Sequence, residues 1–135
     1  MLYHLSRRKL YDGGFLTPRL PDLMRDEEFS LPPRICFSDS IDGCLKAAIS
    51  RGVGRCMYVY VLKDSVKTYK PTIKQVADCK ITNEVWVTER IHVEYAGKVL
   101  PTKLLFREHC KNYKAEFDYP VYRWKWIEKI EGVLE

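Results

Sequence analysis

The sequence lacks most of the features that mark a specialised class of protein. It has only 7 glycines and 7 prolines in 135 residues, too few for a fibrous or low-complexity chain. Its longest uninterrupted apolar run is Cys56–Leu62, far short of a membrane span, and the opening MLYHLSRRKLYD has no long apolar core of the secretory type. These absences predict one globular domain, 1–135, in the cytoplasm and without membrane contact.

Sequence motifs of the common metal and nucleotide sites are also missing. The five cysteines are an odd number and no two of them have C-x-x-C spacing, so neither a disulfide framework nor a zinc site is expected. The sequence contains no H-E-x-x-H, G-x-S-x-G, G-x-G-x-x-G or G-x-x-x-x-G-K-[ST] motif. We therefore expect no metal, and neither of the common glycine-rich nucleotide-binding loops.

The charge balance leaves the class of partner open. The net charge is +5, and the one dense basic run is Arg7-Arg8-Lys9. An acidic protein or a nucleic acid fits this balance, but a solvated turn is the more common explanation for three adjacent charges.

Apolar periodicity predicts one clear helix. Ile41, Cys44, Leu45, Ala48 and Ile49 follow the i, i+3, i+4, i+7, i+8 spacing of an amphipathic helix. Ser38 to Ser40 supply N-cap candidates. The loop over 12–33 is long for a small domain, and a helical turn is expected at 23–28.

The remaining segments are typical of strands. Strands are predicted over 2–6, 34–38, 56–63, 85–88 and 91–95. Ala96-Gly97-Lys98 is predicted to turn a hairpin into a strand over 99–106. Residues 119–127 alternate, with Tyr122, Trp124 and Trp126 on one face. The total predicts an α+β fold with a mixed or mostly antiparallel sheet.

Two polar residues stand out in these strands. His4 lies inside LYHLS, and Glu84 opens the apolar strand of ITNEVWV. Each has an ordinary interpretation: a strand histidine bonded to the backbone, and a strand-end carboxylate paired with Lys80 or Arg90. Each also suits a site on a rigid element.

Taken in order, three segments resemble the histidine-type branch of the ADP-ribosyltransferase superfamily. They are Tyr3-His4-Leu5-Ser6, Ile35-Cys36-Phe37-Ser38-Asp39-Ser40 with Ala47, and Asn83-Glu84-Val85-Trp86-Val87. The resemblance covers about the first two thirds of the chain. One departure is Cys36, which stands where the family often has a tyrosine that stacks on nicotinamide; Tyr58, Tyr60 or Phe37 are the candidate replacements.

The resemblance implies chemistry on NAD. Glu84 would be the catalytic carboxylate that stabilises positive charge on the ribose. His4 would bind a ribose hydroxyl, Ser38 or Ser6 could do the same, and Arg19 or Arg34 would neutralise the diphosphate. His4 and Glu84 are then expected to converge on one sugar. The acceptor would be a protein or a nucleic acid, and small members of the family resemble phage and bacterial modifiers, including inhibitors of CRISPR defence.

Two other functions remain open at this point. The Cys36 departure favours the same fold without catalysis, used to bind a host protein or a nucleotide. The basic charge permits an enzyme that removes an RNA 2′-phosphate with NAD, an activity of the same superfamily.

Overall fold

The computed structural model describes residues 1–10, 14–20, 31–47, 52–73, 75–76, 79–112 and 115–134. The strands are β1 (Leu2–Ser6), β2 (Phe15–Leu16), β3 (Ile35–Ser38), β4 (Met57–Leu62), β5 (Glu84–Val87), β6 (Ile91–His92), β7 (Glu94–Asn112) and β8 (Ala115–Lys129). The helices are α1 (Ile41–Ala47) and the single turn α2 (Cys79–Thr82). The expected turn at 23–28 and the end of the predicted helix at Ala48 and Ile49 lie outside the described residues.

Six strands form one sheet in the order β5-β3-β1-β4-β7-β8, and every described pairing is antiparallel. A separate two-stranded sheet pairs β2 with β6. The α+β class with a mostly antiparallel sheet is therefore confirmed. None of the described helices is long and apolar enough to cross a membrane.

The larger sheet buries apolar side chains on both faces. On one face, here called the α1 face, Ile41 and Leu45 pack with Val59 and Val61 of β4. On the other, here called the far face, Phe37 and Tyr60 pack against Ile91 of the small sheet and its neighbours. Side chains of successive strand residues point to opposite faces, so β1, β4 and β7 each contribute to both clusters.

Helix α1 begins where the sequence predicts. The Ser40 hydroxyl accepts a 2.9 Å hydrogen bond from the Gly43 N–H, which is the expected contact between an N-cap and the third helical residue. Gly43 also lets the helix approach the sheet closely, because a Cβ there would overlap Ser38 Oγ and the Thr82 carbonyl. The absence of a side chain at 43 therefore sets the distance between α1 and β3.

The predicted hairpin at Ala96-Gly97-Lys98 is wrong. These residues lie inside β7, which runs without a turn to Asn112. Gly97 has φ 137° and sits next to a register shift in the pairing with β4. A Cβ at 97 would overlap the Glu128 carbonyl. The glycine therefore accommodates an irregularity and a close strand contact rather than a reversal of the chain.

The far part of β7 forms a long ribbon with β8. Strand β4 pairs with β7 only as far as Val99. Beyond it, residues 100–112 of β7 pair with 115–125 of β8 alone among the described strands. We call this two-stranded segment the ribbon. Its register shifts between Pro101 and Lys103 and again between Leu104 and Phe106.

Candidate functional site

The three strands that carry the sequence motifs are neighbours in the sheet. Strand β3 lies between β5 and β1, and a single row of paired residues crosses all three. Tyr3 is opposite Ser38, and Ser38 is opposite Glu84. Directly paired residues of antiparallel strands have their side chains on the same face. Glu84, Ser38 and Tyr3 therefore share the α1 face, where Tyr3 contacts the cluster around Ile41.

His4 follows Tyr3 and points to the far face. Its ring lies 5.7 Å from that of Phe37, between centroids. Its Nδ1 is 2.9 Å from the Cys36 carbonyl oxygen. A carbonyl only accepts, so Nδ1 carries the proton and Nε2 is the basic nitrogen. Burial lowers the pKa of His4 below 6.5, the Cys36 carbonyl opposes this, and the charge of Arg19 adds to the lowering. The imidazole is thus neutral at pH 7.

The expectation that His4 and Glu84 converge on one sugar is wrong. They lie on opposite faces of the sheet, with β3 between their strands. Neighbouring strands are about 4.8 Å apart, so two strand spacings separate the backbones in addition to the sheet itself. A single ribose cannot bridge that arrangement. The sequence order of the motifs predicts neighbouring strands, but it carries no information on the shared face.

Cys36 interacts with both His4 and Glu84. Its carbonyl bonds His4, and its side chain lies on the α1 face, opposite Trp86 in the register. The pKa of the Cys36 thiol is raised well above 9.0, mainly by burial. The negative charge of Glu84 and the hydrogen bond between the thiol and Glu84 also raise this pKa, whereas Arg34 lowers it. Cys36 is therefore a neutral thiol beside a half-buried carboxylate, and it gives Glu84 a partner inside the protein.

Ser38 and Arg34, two of the expected ligand contacts, are buried in the protein. The Ser38 hydroxyl donates a 2.6 Å hydrogen bond to the Thr82 carbonyl, and the serine is only 3% exposed. Arg34 is 2% exposed, donates to the Pro32 carbonyl and stacks 4.5 Å above the Trp86 ring. A guanidinium stacked on an indole is a packing arrangement as well as a charge.

Arg19 is the exposed member of the predicted set. Its backbone forms two hydrogen bonds with that of Arg34, at 3.2 and 2.9 Å. This bridge aligns the segment of Arg19 with the start of β3. The structure therefore brings the two predicted arginines together through their backbones, with one side chain accessible to solvent and the other buried.

A cavity of about 350 Å³ opens on the far face. Its lining includes Tyr60, Tyr95, Lys9 and His92, and does not include Glu84. The Tyr60 hydroxyl accepts a 2.8 Å hydrogen bond from the Leu10 N–H. The Lys9 ammonium lies 4.9 Å from the centre of the Tyr95 ring. Tyr60, a candidate replacement for the missing motif tyrosine, thus faces away from the carboxylate it was expected to accompany.

The ribbon carries the surface that sequence reasoning missed. Residues 102–107 are all exposed, including the consecutive apolar residues Leu104 (37%), Leu105 (43%) and Phe106 (56%). One face of the ribbon holds Lys103 opposite Arg123 and Phe106 opposite Val121. Residues Val121 and Arg123 share this face because they are two apart in β8.

The opposite face of the ribbon packs on the protein. Tyr122, Trp124 and Trp126 contact the cluster beneath α1, and the Trp124 indole donates a 2.9 Å hydrogen bond to Asp42. The predicted aromatic face of 119–127 therefore belongs to the core. Farther along the ribbon, Lys46 of α1 forms a 3.1 Å ion pair with Glu108. These contacts hold the ribbon against α1 and leave Lys103, Phe106 and Arg123 exposed.

Comparisons with family models, with curated proteins and with solved structures return no match to this chain.

Proposed function

We propose that this chain is a non-catalytic binding protein that grips a macromolecular partner through the exposed face of the ribbon. The observation that carries the proposal is the exposure of Phe106 (56%) and its neighbour Leu105 (43%) beside Lys103 and Arg123. Leu104, which pairs with Tyr122 on the other face, is 37% exposed next to them. Contiguous exposed apolar residues rimmed by charge are typical of interaction sites.

The energetics of the ribbon support binding. Burying an exposed phenylalanine side chain stabilises a complex by about 1.5–3 kcal/mol. Aromatic side chains at the centre of an interface are frequent energetic hot spots. In the free protein Phe106 is 56% exposed, so most of this stabilisation is available to a partner. The contacts of Trp124 with Asp42 and α1 fix the ribbon before the partner arrives, which lowers the entropic cost of association.

The placement of the motif residues argues against catalysis on NAD. Transfer of ADP-ribose needs a carboxylate held beside the ribose and a set of groups that position the same substrate. Here Ser38 and Arg34 are buried in internal contacts, and His4 lies on the other face of the sheet from Glu84. The fold keeps the motif strands side by side without collecting their polar groups into one cleft.

Partner capture tests the proposal. Tagged wild type, Phe106→Ser and Glu84→Gln are expressed in cells of the source organism, and bound proteins and nucleic acids are quantified. We expect one partner with wild type and Glu84→Gln, and its loss with Phe106→Ser, while titration calorimetry with NAD gives no heat. Retention of that partner by Phe106→Ser, or turnover of NAD that depends on Glu84, would overturn the proposal.

ADP-ribosyl transfer is the second candidate, favoured by the adjacency of the three motif strands and by the half-buried position of Glu84. If this activity is present, Glu84→Gln lowers nicotinamide release by roughly 10²–10³. Glu89→Gln is the matched control, because Glu89 is an exposed glutamate just beyond the end of β5. Equal release by wild type and both variants would eliminate this candidate. The RNA 2′-phosphate reaction requires the same use of NAD and is tested by the same variants.

A further inference from the structure

The exposed face of the ribbon has a chemistry that selects its partner. Near its base this face carries three basic residues, Lys103, Arg123 and Lys125, while Glu108, two residues beyond Phe106, is ion-paired with Lys46. Lys103 and Arg123 are directly opposite each other. Like charges at paired positions destabilise a sheet. An anionic group placed between them would remove this repulsion and accept hydrogen bonds from both.

The apolar residues beside this pair favour an acidic protein over a nucleic acid as the anionic partner. Phe106 and Val121 form the next pair on the same face, and Leu104 and Leu105 are exposed close by. Nucleic-acid interfaces are more polar than those between proteins. Sites for single-stranded nucleic acid stack successive bases on several aromatic rings, whereas this patch presents one exposed ring, Phe106, beside Leu104 and Leu105. Trp124 and Trp126, the rings best suited to stacking, are packed against the protein.

From this juxtaposition we propose that the partner is an acidic protein segment whose carboxylates lie next to apolar or aromatic side chains. A carboxylate binds between Lys103 and Arg123, and a neighbouring apolar side chain packs on Phe106. A second copy of this chain is disfavoured, because it would bring two sets of Lys103, Arg123 and Lys125 together. The inference rests on the proposed binding function and adds the class of partner.

Defined polymers test the partner class. The probes are a random copolymer of glutamate and tyrosine, poly-glutamate, single-stranded oligothymidine and a mixed-sequence DNA duplex, each titrated against the full chain by fluorescence anisotropy. We expect the copolymer to bind more tightly than poly-glutamate and than either nucleic acid. Binding should weaken as salt increases, because exposed charges are screened.

Two sets of variants separate charge from apolar contact. The double variant Lys103→Glu/Arg123→Glu should weaken binding of both acidic polymers, for the copolymer by roughly tenfold, which is about 1.4 kcal/mol. Its control is Lys67→Glu/Lys70→Glu, which changes the net charge equally at exposed positions outside the ribbon. Phe106→Ser should weaken the copolymer by roughly tenfold and leave poly-glutamate nearly unchanged. Its control is Leu20→Ser, at a residue that is 45% exposed.

Each contrary result has a distinct meaning. Tighter binding of either nucleic acid than of the copolymer overturns the partner class while leaving a binding ribbon in place. Equal affinity for the copolymer and for poly-glutamate, with no effect of Phe106→Ser, would show that the surface binds acidic polymers through charge alone. That result also overturns the inference. No binding of any probe overturns it as well. The cellular capture experiment decides separately whether the ribbon is a binding surface.

Discussion

Histidine 4 makes the stability of this protein depend on pH in a predictable direction. Burial lowers its pKa below 6.5 in the folded chain, whereas an unfolded chain has the ordinary value of about 6.5. The unfolded state therefore binds a proton that the folded state rejects. The stability that this group contributes is complete above pH about 6.5 and is lost as the pH falls from there toward the folded pKa.

The size of this effect has an upper limit. One group that stays neutral in the folded state and titrates freely in the unfolded state changes the free energy of unfolding by about 1.4 kcal/mol per pH unit below its unfolded pKa. Between pH about 7.5 and 5.5 the loss is therefore at most about 1.4 kcal/mol. Most carboxylates remain ionised over that range, since their ordinary pKa values are near 4.

Urea unfolding at several pH values measures the loss. We expect wild type to lose stability over this range and His4→Phe, which keeps a ring beside Phe37, to lose less. His92→Gln is the control, because His92 is an exposed histidine on β6, and it should follow wild type. Parallel curves for wild type and His4→Phe would refute the reasoning, as would an NMR titration that places the His4 pKa above 6.5.

Two further predictions concern stability. Gly97→Ala should lower the free energy of unfolding by at least about 1–3 kcal/mol, the usual cost of a strained backbone conformation, because φ is 137° and the Glu128 carbonyl blocks a Cβ. Gly52→Ala, where nothing lies within 4 Å of the added Cβ, should lower it less in the same urea titration. An equal loss for the two variants would contradict the close contact at Gly97. Val59→Ala removes methyl groups at a fully buried position and should lower the free energy of unfolding by roughly 1.5–3 kcal/mol. Val53→Ala, at a residue 47% exposed, should leave the thermal unfolding temperature nearly unchanged. Similar shifts in unfolding temperature for the two variants would show that Val59 is not in the core.

Local patterns were sufficient for most elements of this fold. The strand 2–6 has the predicted bounds, and α1 begins at Ile41 after its serine cap. The strands at 57–62 and 84–87 each fall within one residue of prediction at both ends. In each case the signal is contained in a few neighbouring residues, as apolar periodicity or a capping side chain, so long-range contacts are not needed to recognise it.

The ribbon was harder to predict because its register shifts break the alternation. Two irregularities between Pro101 and Phe106 interrupt the period of two, so Lys103 to Phe106 does not alternate as an ordinary strand does. The sequence alone does not distinguish a glycine inside a strand from a glycine in a turn. Gly97 is predicted to lie in a turn, and it lies inside β7. The length of β7 became visible only through its pairing with β8.

The relative placement of His4 and Glu84 depends on a different kind of information. Successive side chains along a strand point to opposite faces of the sheet. A shift of one residue in the pairing of either strand would therefore move His4 or Glu84 to the other face. That register is fixed by the packing of Phe37 and Val85 on the far face and of Tyr3 near α1. None of these contacts is local in sequence. Residue order could therefore suggest a site, but only the register could decide whether its members meet.

The same packing explains why the ribbon, rather than the motif strands, is the stronger candidate for function. On β3 and directly before it, the polar side chains contact other parts of the protein: Ser38 donates a hydrogen bond to Thr82, and Arg34 contacts Trp86 and Pro32. On the ribbon the arrangement is reversed, since Lys103 faces Arg123 and Phe106 remains in solvent. The paired like charges destabilise the free protein, and the exposed phenylalanine contributes little burial energy to it. A partner that supplies an anion and an apolar contact would relieve the repulsion and gain the burial energy of the ring.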